Sequence, residues 1–265
     1  MRTVTACGGL LLATTGCIVA NDPGLRMEGG VLASSHYVRR GMTENERGVA
    51  QVDLNVDLDT RLGGVLGLVV FGNMDLNDET GDAWYPPGHE RKFTEVDLAA
   101  EYSQTFAETD ATVGVTSYTL PNGLEFPNGE RGGTTEMYAR VGREVVWGLY
   151  PQLELRIDRD EADGWYANLS VRREFPLLDK LDAELVVSQG YIDGNEAFWE
   201  YGLDEAGWAD LRAEAKLRYR FDDQTTFHLT VAGSTMIDST LEEWFDLIGI
   251  RDDVTWIAAG VTFSY

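Results

Sequence analysis

The chain has 265 residues, with 21 Lys and Arg against 45 Asp and Glu, for a formal net charge of −24. That balance excludes a nucleic-acid binder and a protein that docks on anionic membranes, since both need a basic face. Apolar residues make up 43%, too many for a disordered acidic chain; 29 glycines and 11% aromatics favour strands and turns.

Residues 1–20 read as a secretory signal: Arg2, then a short apolar stretch from Val4 to Ala13, then small residues. Cleavage is expected near 16/17 or 20/21, which leaves 21–265 as a single domain. Both cysteines, Cys7 and Cys17, fall inside the signal, so no disulfide framework is available. Gly16 before Cys17 suits lipidation at Cys17, whereas Thr14 stands where lipoprotein signals carry Leu; lipidation and ordinary cleavage both stay open. Beyond the signal no run of about 18 apolar residues occurs, so a membrane protein would have to be a closed β-barrel.

From residue 28 onward the chain alternates. Ala50, Val52, Leu54, Val56 and Leu58 interleave with Gln51, Asp53, Asn55, Asp57 and Asp59. Leu153, Leu155 and Ile157 interleave with Gln152, Glu154, Arg156 and Asp158, and Leu211 to Phe221 interleave with Arg212, Glu214, Lys216, Arg218 and Arg220. A period of two places one set on each face of a strand, while the same charges on a helix would circle it. The pattern predicts about twelve strands, at 28–38, 49–59, 62–73, 92–106, 110–119, 134–147, 150–158, 164–176, 181–191, 209–221, 225–236 and 254–265.

The connections alternate between long polar segments (39–48, 74–91, 120–133, 159–163, 192–208 and 237–253) and tight turns. That regularity is expected of an all-β, closed, antiparallel, up-and-down transmembrane barrel, with long outer loops, short periplasmic turns and both termini in the periplasm. Phe106, Trp147, Tyr150, Phe175, Phe221, Phe227, Phe263 and Tyr265 fall at predicted periplasmic strand ends, where an aromatic girdle belongs. The last strand ends on Tyr265 and resembles the signal read by the barrel assembly machinery of the bacterial outer membrane. The lipid of that membrane is the other expected partner, and a monomer the expected state. In the last loop, Thr240 and Glu243 form a capping box, and Leu241, Trp244, Phe245 and Ile248 share a helical face ending near Gly249. One short helix is predicted there.

Ser34 to Asn45, with the run Ser35-His36-Tyr37-Val38-Arg39-Arg40-Gly41, resembles the opening motif of the TorF-type outer-membrane porin family, and Gln51 fits the strand that follows. Tyr150-Pro151 to Tyr166 resembles that family's strand, acidic hairpin and aromatic return. The chain departs from the pattern at Arg39, where the family carries an aromatic residue, and in the acidic segments 74–91 and 237–253. The resemblance implies a barrel in the outer membrane and assigns no substrate.

If the apolar sets face lipid, the charged sets face the lumen. Acidic candidates for a pore lining are Asp53, Asp57, Glu95, Asp97, Glu154, Asp158, Asp182 and Glu184; basic ones are Arg140, Arg172, Arg212, Lys216, Arg218 and Arg220. Acids facing bases across water would order solutes by charge and dipole; closed ion pairs would instead make a plug. Asp75, Asp78, Asp82, Glu200, Asp204, Glu242 and Glu243 are the candidate acidic mouth, which would gather cations. The loop aromatics Trp84, Tyr85, Phe198, Trp199, Tyr201, Trp208, Trp244 and Phe245 are expected to hold the loops together.

No cofactor or metal is expected. Nothing in the spacing unites His36, His89 and His228, and Asp158 to Gly164 misses both the spacing and the closing Glu of a calcium loop. Nor is catalysis: His228 and Ser234 share a strand face but lie six residues apart, roughly 20 Å along an extended strand. The expected function is a passive, mildly cation-preferring channel for small polar solutes. The rivals are a plugged structural or ligand-binding barrel, a lipid-modifying barrel enzyme, and a soluble exported sheet protein.

Overall fold

The computed structural model describes residues 24–77, 90–122 and 132–265. The expected signal with Cys17, together with Asp78, Asp82, Trp84, Tyr85 and His89, lies outside the described residues.

Twelve strands close one antiparallel barrel. In chain order they are β1 (Leu25–Ser34), β4 (Val49–Asp59), β5 (Val65–Asp75), β6 (Phe93–Phe106), β7 (Thr109–Thr119) and β8 (Gly133–Arg143), then β9 (Leu149–Asp158), β10 (Trp165–Leu178), β11 (Leu181–Ile192), β12 (Gly207–Arg220), β13 (Thr225–Met236) and β14 (Asp253–Ser264). Two further short strands, β2 (Tyr37–Arg39) and β3 (Met42–Asn45), pair only with each other. Each barrel strand pairs with its sequence neighbour in the wall, and β1 seals the ring by pairing with both β4 and β14 (Val31 opposite Val52 and Val261). Closure removes every edge, so each backbone polar group of the wall is bonded inside the sheet, as hydrocarbon requires.

The two-residue period sorts side chains as expected. Leu54, Leu98, Val113, Leu153, Leu169, Leu217, Leu229 and Ile257 are exposed on the outside, a face that only lipid tails satisfy. Phe106, Trp147, Phe221, Phe227, Phe263 and Tyr265 are also exposed, at the short-turn end. Tyr150 departs from the predicted girdle. Its ring turns inward over Gly142, where an added Cβ would lie 2.6 Å from it, and its hydroxyl donates to Asp110. The turns at that end are tight: Ala107 and Glu108 both have positive φ (47° and 68°) and join β6 to β7 in two residues. Pro176 sits at a register shift between β10 and β11, where a missing N–H is tolerated.

Among the described residues the long-loop end carries two helices. α2 (Ser239–Ile248) lies where the helical face was read, but its cap is Asp238, which accepts from Thr240 N and Leu241 N, rather than Thr240. α1 (Gly194–Tyr201) lies in a segment expected to be loop; Asp193 caps it by accepting from Glu196 N, and Gly202 ends it in the left-handed conformation (φ 79°). The first strand also ends earlier than expected, at Ser34 rather than 38. The chain then leaves the wall and folds β2 and β3 into the barrel.

Candidate functional site

The inward hairpin turns on Arg40 and Gly41. Arg39 pairs with Met42, so the connection has two residues, both at positive φ (47° and 82°), the geometry of a twisted two-residue turn. Gly41 is required twice over. Its φ disfavours any side chain, and a Cβ would stand 2.7 Å from both the Asp210 Cβ on β12 and the Met236 Sδ on β13.

The hairpin touches wall strands all round the ring. Asn73 on β5 donates to Asn45 and to Thr94, and accepts from Gln51. Val38 packs against Ala232, Val254 and Trp256. Met42 joins Tyr166, Ile192, Ala209 and Met236 of the wall, Ala197 and Tyr201 of α1, and Leu241 and Phe245 of α2 in one buried apolar cluster. Trp244 donates to the Tyr201 carbonyl, and the Tyr201 hydroxyl donates to the Arg40 carbonyl. Tyr201, Trp244 and Phe245 therefore hold the loops together as expected, whereas Phe198 and Trp208 are exposed.

Both hairpin arginines are half-buried and hold their guanidinium groups among carboxylates. Arg39 Nε pairs with Glu44 at 2.5 Å and its Nη2 with Glu200 at 2.9 Å. Arg40 pairs with Glu136 of β8 at 2.5 Å and with Glu196 of α1, and lies over the Tyr166 ring. Burial alone would weaken the charge on each guanidinium, but Glu200 and Glu44 around Arg39, and Glu136, Glu200 and Glu196 around Arg40, outweigh it and hold both well above the usual arginine range. The carboxylates respond oppositely. Burial pushes Glu44 up to about 7 against the pull of Arg39, and Glu196 up to about 7 against the pull of Arg40. Residue spacing alone does not signal this cluster. Asp193 and Glu196, three apart before an apolar run, are the cap signal that could have revealed α1.

Toward the short-turn end the lumen is wet. One cavity of about 520 Å³ runs along β1 from Glu28 to Ser34 and His36, bordered by Asp53 on one side and Arg212, Lys216 and Arg218 on the other. A second, about 580 Å³, lies between Arg39 and Arg40 of the hairpin and Glu154, Arg172 and Glu184 of the wall. Tyr37, Val38, Arg212, Glu214 and Lys216 border both, so the hairpin divides a shared space.

The predicted lining residues separate into three groups. Asp53, Glu154, Glu184, Arg172, Arg212, Lys216 and Arg218 border these cavities. Arg140 pairs with Glu101 and Glu154 along the wall, Arg220 with Asp182, and Asp57 lies near Arg26. Glu95 and Asp158, by contrast, are 1% and 0% exposed at the dry end, and Asp97 is half-buried beside Glu95. Around the ring, β4 stands opposite β10 and β6 opposite β12, and Asp53 of β4 borders the same cavity as Arg212, Lys216 and Arg218 of β12.

The mouth set also divides. Asp204, Glu242 and Glu243 are exposed, but Asp75 is buried and Glu200 points into the arginine cluster, so neither is a mouth charge. The reason for Glu200 is α1: its turns bring residues 196 and 200 onto one face, and that face looks inward.

No protein-family model matches the chain, and no curated protein matches it. Among solved structures, an outer-membrane channel from Pseudomonas putida F1, described as COG4313, aligns over 92% of this chain and 96% of its own, with a TM-score of 0.54 at 8% identity. The KdgM porin aligns over 91% and 99% (TM-score 0.48, 12% identity), and the NanC porin over 90% and 98% (0.49, 11%). At these identities the likeness is one of fold. The closed wall with its apolar exterior is the form in which a chain spans a bacterial outer membrane.

Proposed function

We propose that the protein is a narrow, passive, mildly cation-preferring channel for small polar solutes, with the β2–β3 hairpin as its constriction. The observation that carries this reading is the cavity along β1, which passes beside the hairpin from Glu28 near the short turns to Ser34 and His36 at the long-loop end. Its lining carries charges of both signs, Asp53 and Glu28 on one side and Arg212, Lys216 and Arg218 with Glu214 among them on the other, which suits small dipolar or charged solutes. The exposed acids at the outer end and the net charge of −24 support the cation preference. The Ser34–Asn45 segment that resembles the TorF-type family is the one that builds the constriction, and kinship with that family is part of the proposal.

One observation favours a plugged barrel instead: the apolar cluster of Met42, Tyr201, Leu241 and Phe245 packs hairpin and helices into a lid. Planar-bilayer recording separates the two readings. A channel gives current steps in the wild type, larger ones when residues 37–45 are replaced by a short Gly-Ser turn, and a reversal potential of cation sign in a KCl gradient. A plugged barrel conducts only after the replacement.

A further inference from the structure

Alternation assigns Asp158 to the lumen lining, at the start of a hairpin turn, yet it is 0% exposed and has no basic partner among the described residues. Among the described residues it accepts from the Thr134 hydroxyl and the Asp160 amide alone. Two more carboxylates approach it from other parts of the chain, Glu136 on β8 and Glu196 on α1. Glu136 is 0% and Glu196 1% exposed, and each of the three residues offers an oxygen within 4.8 Å of the others'.

The surrounding cations do not balance this group. Arg40 is shared among Glu136, Glu196 and Glu200, and Arg156 is shared between Glu136 and Glu154. The Glu196 Oε2 is fully buried with no hydrogen-bond partner among the described residues. A buried carboxylate oxygen without a donor is costly unless a cation meets it.

We infer that Glu136, Asp158 and Glu196 form a calcium site that ties α1 to the β8–β9 wall. The donors are all carboxylate oxygens, with no His or Cys, which selects a hard divalent cation over zinc or copper. Calcium suits the site better than magnesium, because it accepts irregular, partly bidentate carboxylate shells and demands no octahedron. The site lies at the long-loop end, which faces the outside of the cell, where calcium is available. This inference does not depend on solutes passing through the barrel.

Calorimetric titration of CaCl2 into the full-length protein, folded in detergent and stripped with EGTA, tests it. One saturable calcium per chain is expected, with MgCl2 at least tenfold weaker. Affinity should fall at least tenfold in both Asp158→Asn and Glu196→Gln, and stay unchanged in Asp252→Asn on the exposed last loop. Calcium should also slow amide exchange across 194–201 in the wild type. No saturable heat in the wild type overturns the site, as does wild-type affinity in either variant. Should Asp158→Asn fail to fold, Glu196→Gln, which alters a loop helix and leaves the barrel wall intact, decides the matter.

Discussion

The two halves of the lumen use the same residue types to opposite ends. Near the short turns, pairs such as Arg218–Glu174 (3.2 Å) and Arg220–Asp182 (3.1 Å) run along the wall in contact with water. Near the long loops, Arg39 and Arg40 border the cavity on one side but direct their guanidinium groups to buried carboxylates that come from three directions: the hairpin itself, the wall and α1. Screened pairs contribute little and can be exchanged freely. Desolvated ones must be matched, because losing one partner strands the other. A field for solutes can therefore be built in the first half, and a fixed obstruction in the second.

The sharpest way to break this contrast is Arg40→Ala. It leaves Glu136 and Glu196 without their shared cation, a loss of about 3–5 kcal/mol for a buried pair. Hydrogen exchange should report α1 and the hairpin opening while the barrel strands stay protected. Gly41→Ala comes next: with positive φ and a Cβ against Asp210, about 1–3 kcal/mol is expected, read as faster proteolysis of the hairpin.

A pH series gives a third test. Glu44 and Glu196 have pKa values raised to about 7 by burial. A carboxyl raised in the packed state favours that state below its ordinary pKa, and the advantage is lost as pH rises through 7. Hairpin protection, corrected for intrinsic exchange, should therefore be greater at pH 5 than at pH 8.5. The smallest structural effect belongs to the wet half. Arg218→Ala should cost less than about 1 kcal/mol in denaturant unfolding, yet move the reversal potential further toward cations, since it removes a positive charge from the cavity wall. An Arg218→Ala loss as large as that of Arg40→Ala would end the comparison.

The wall was legible because a strand between lipid and water must alternate, and stretches such as Ala50–Asp59 and Leu211–Phe221 do so without interruption. α2 was legible from its own helical face. α1 was not, because its inward face carries Glu196 and Glu200 beside Ala197 and Tyr201, and those carboxylates look like surface charges when read alone. Residues 35–48 were read as the end of a strand and an outer loop. Nothing in a loop's own sequence states whether it folds out into water or back into a lumen.

Alternation along the chain, the rhythm of long and short connections and the aromatic strand ends were enough by themselves to specify a closed barrel, since each depends only on neighbours a few residues apart. Tertiary structure alone decided where Arg40 finds Glu136 and Glu196, which of the lumen's charges are wet, and that Asp158 lies beside carboxylates of two other segments. Those outcomes depend on groups tens to more than a hundred residues apart meeting across a cylinder, and on water being excluded when they meet, neither of which any local period encodes.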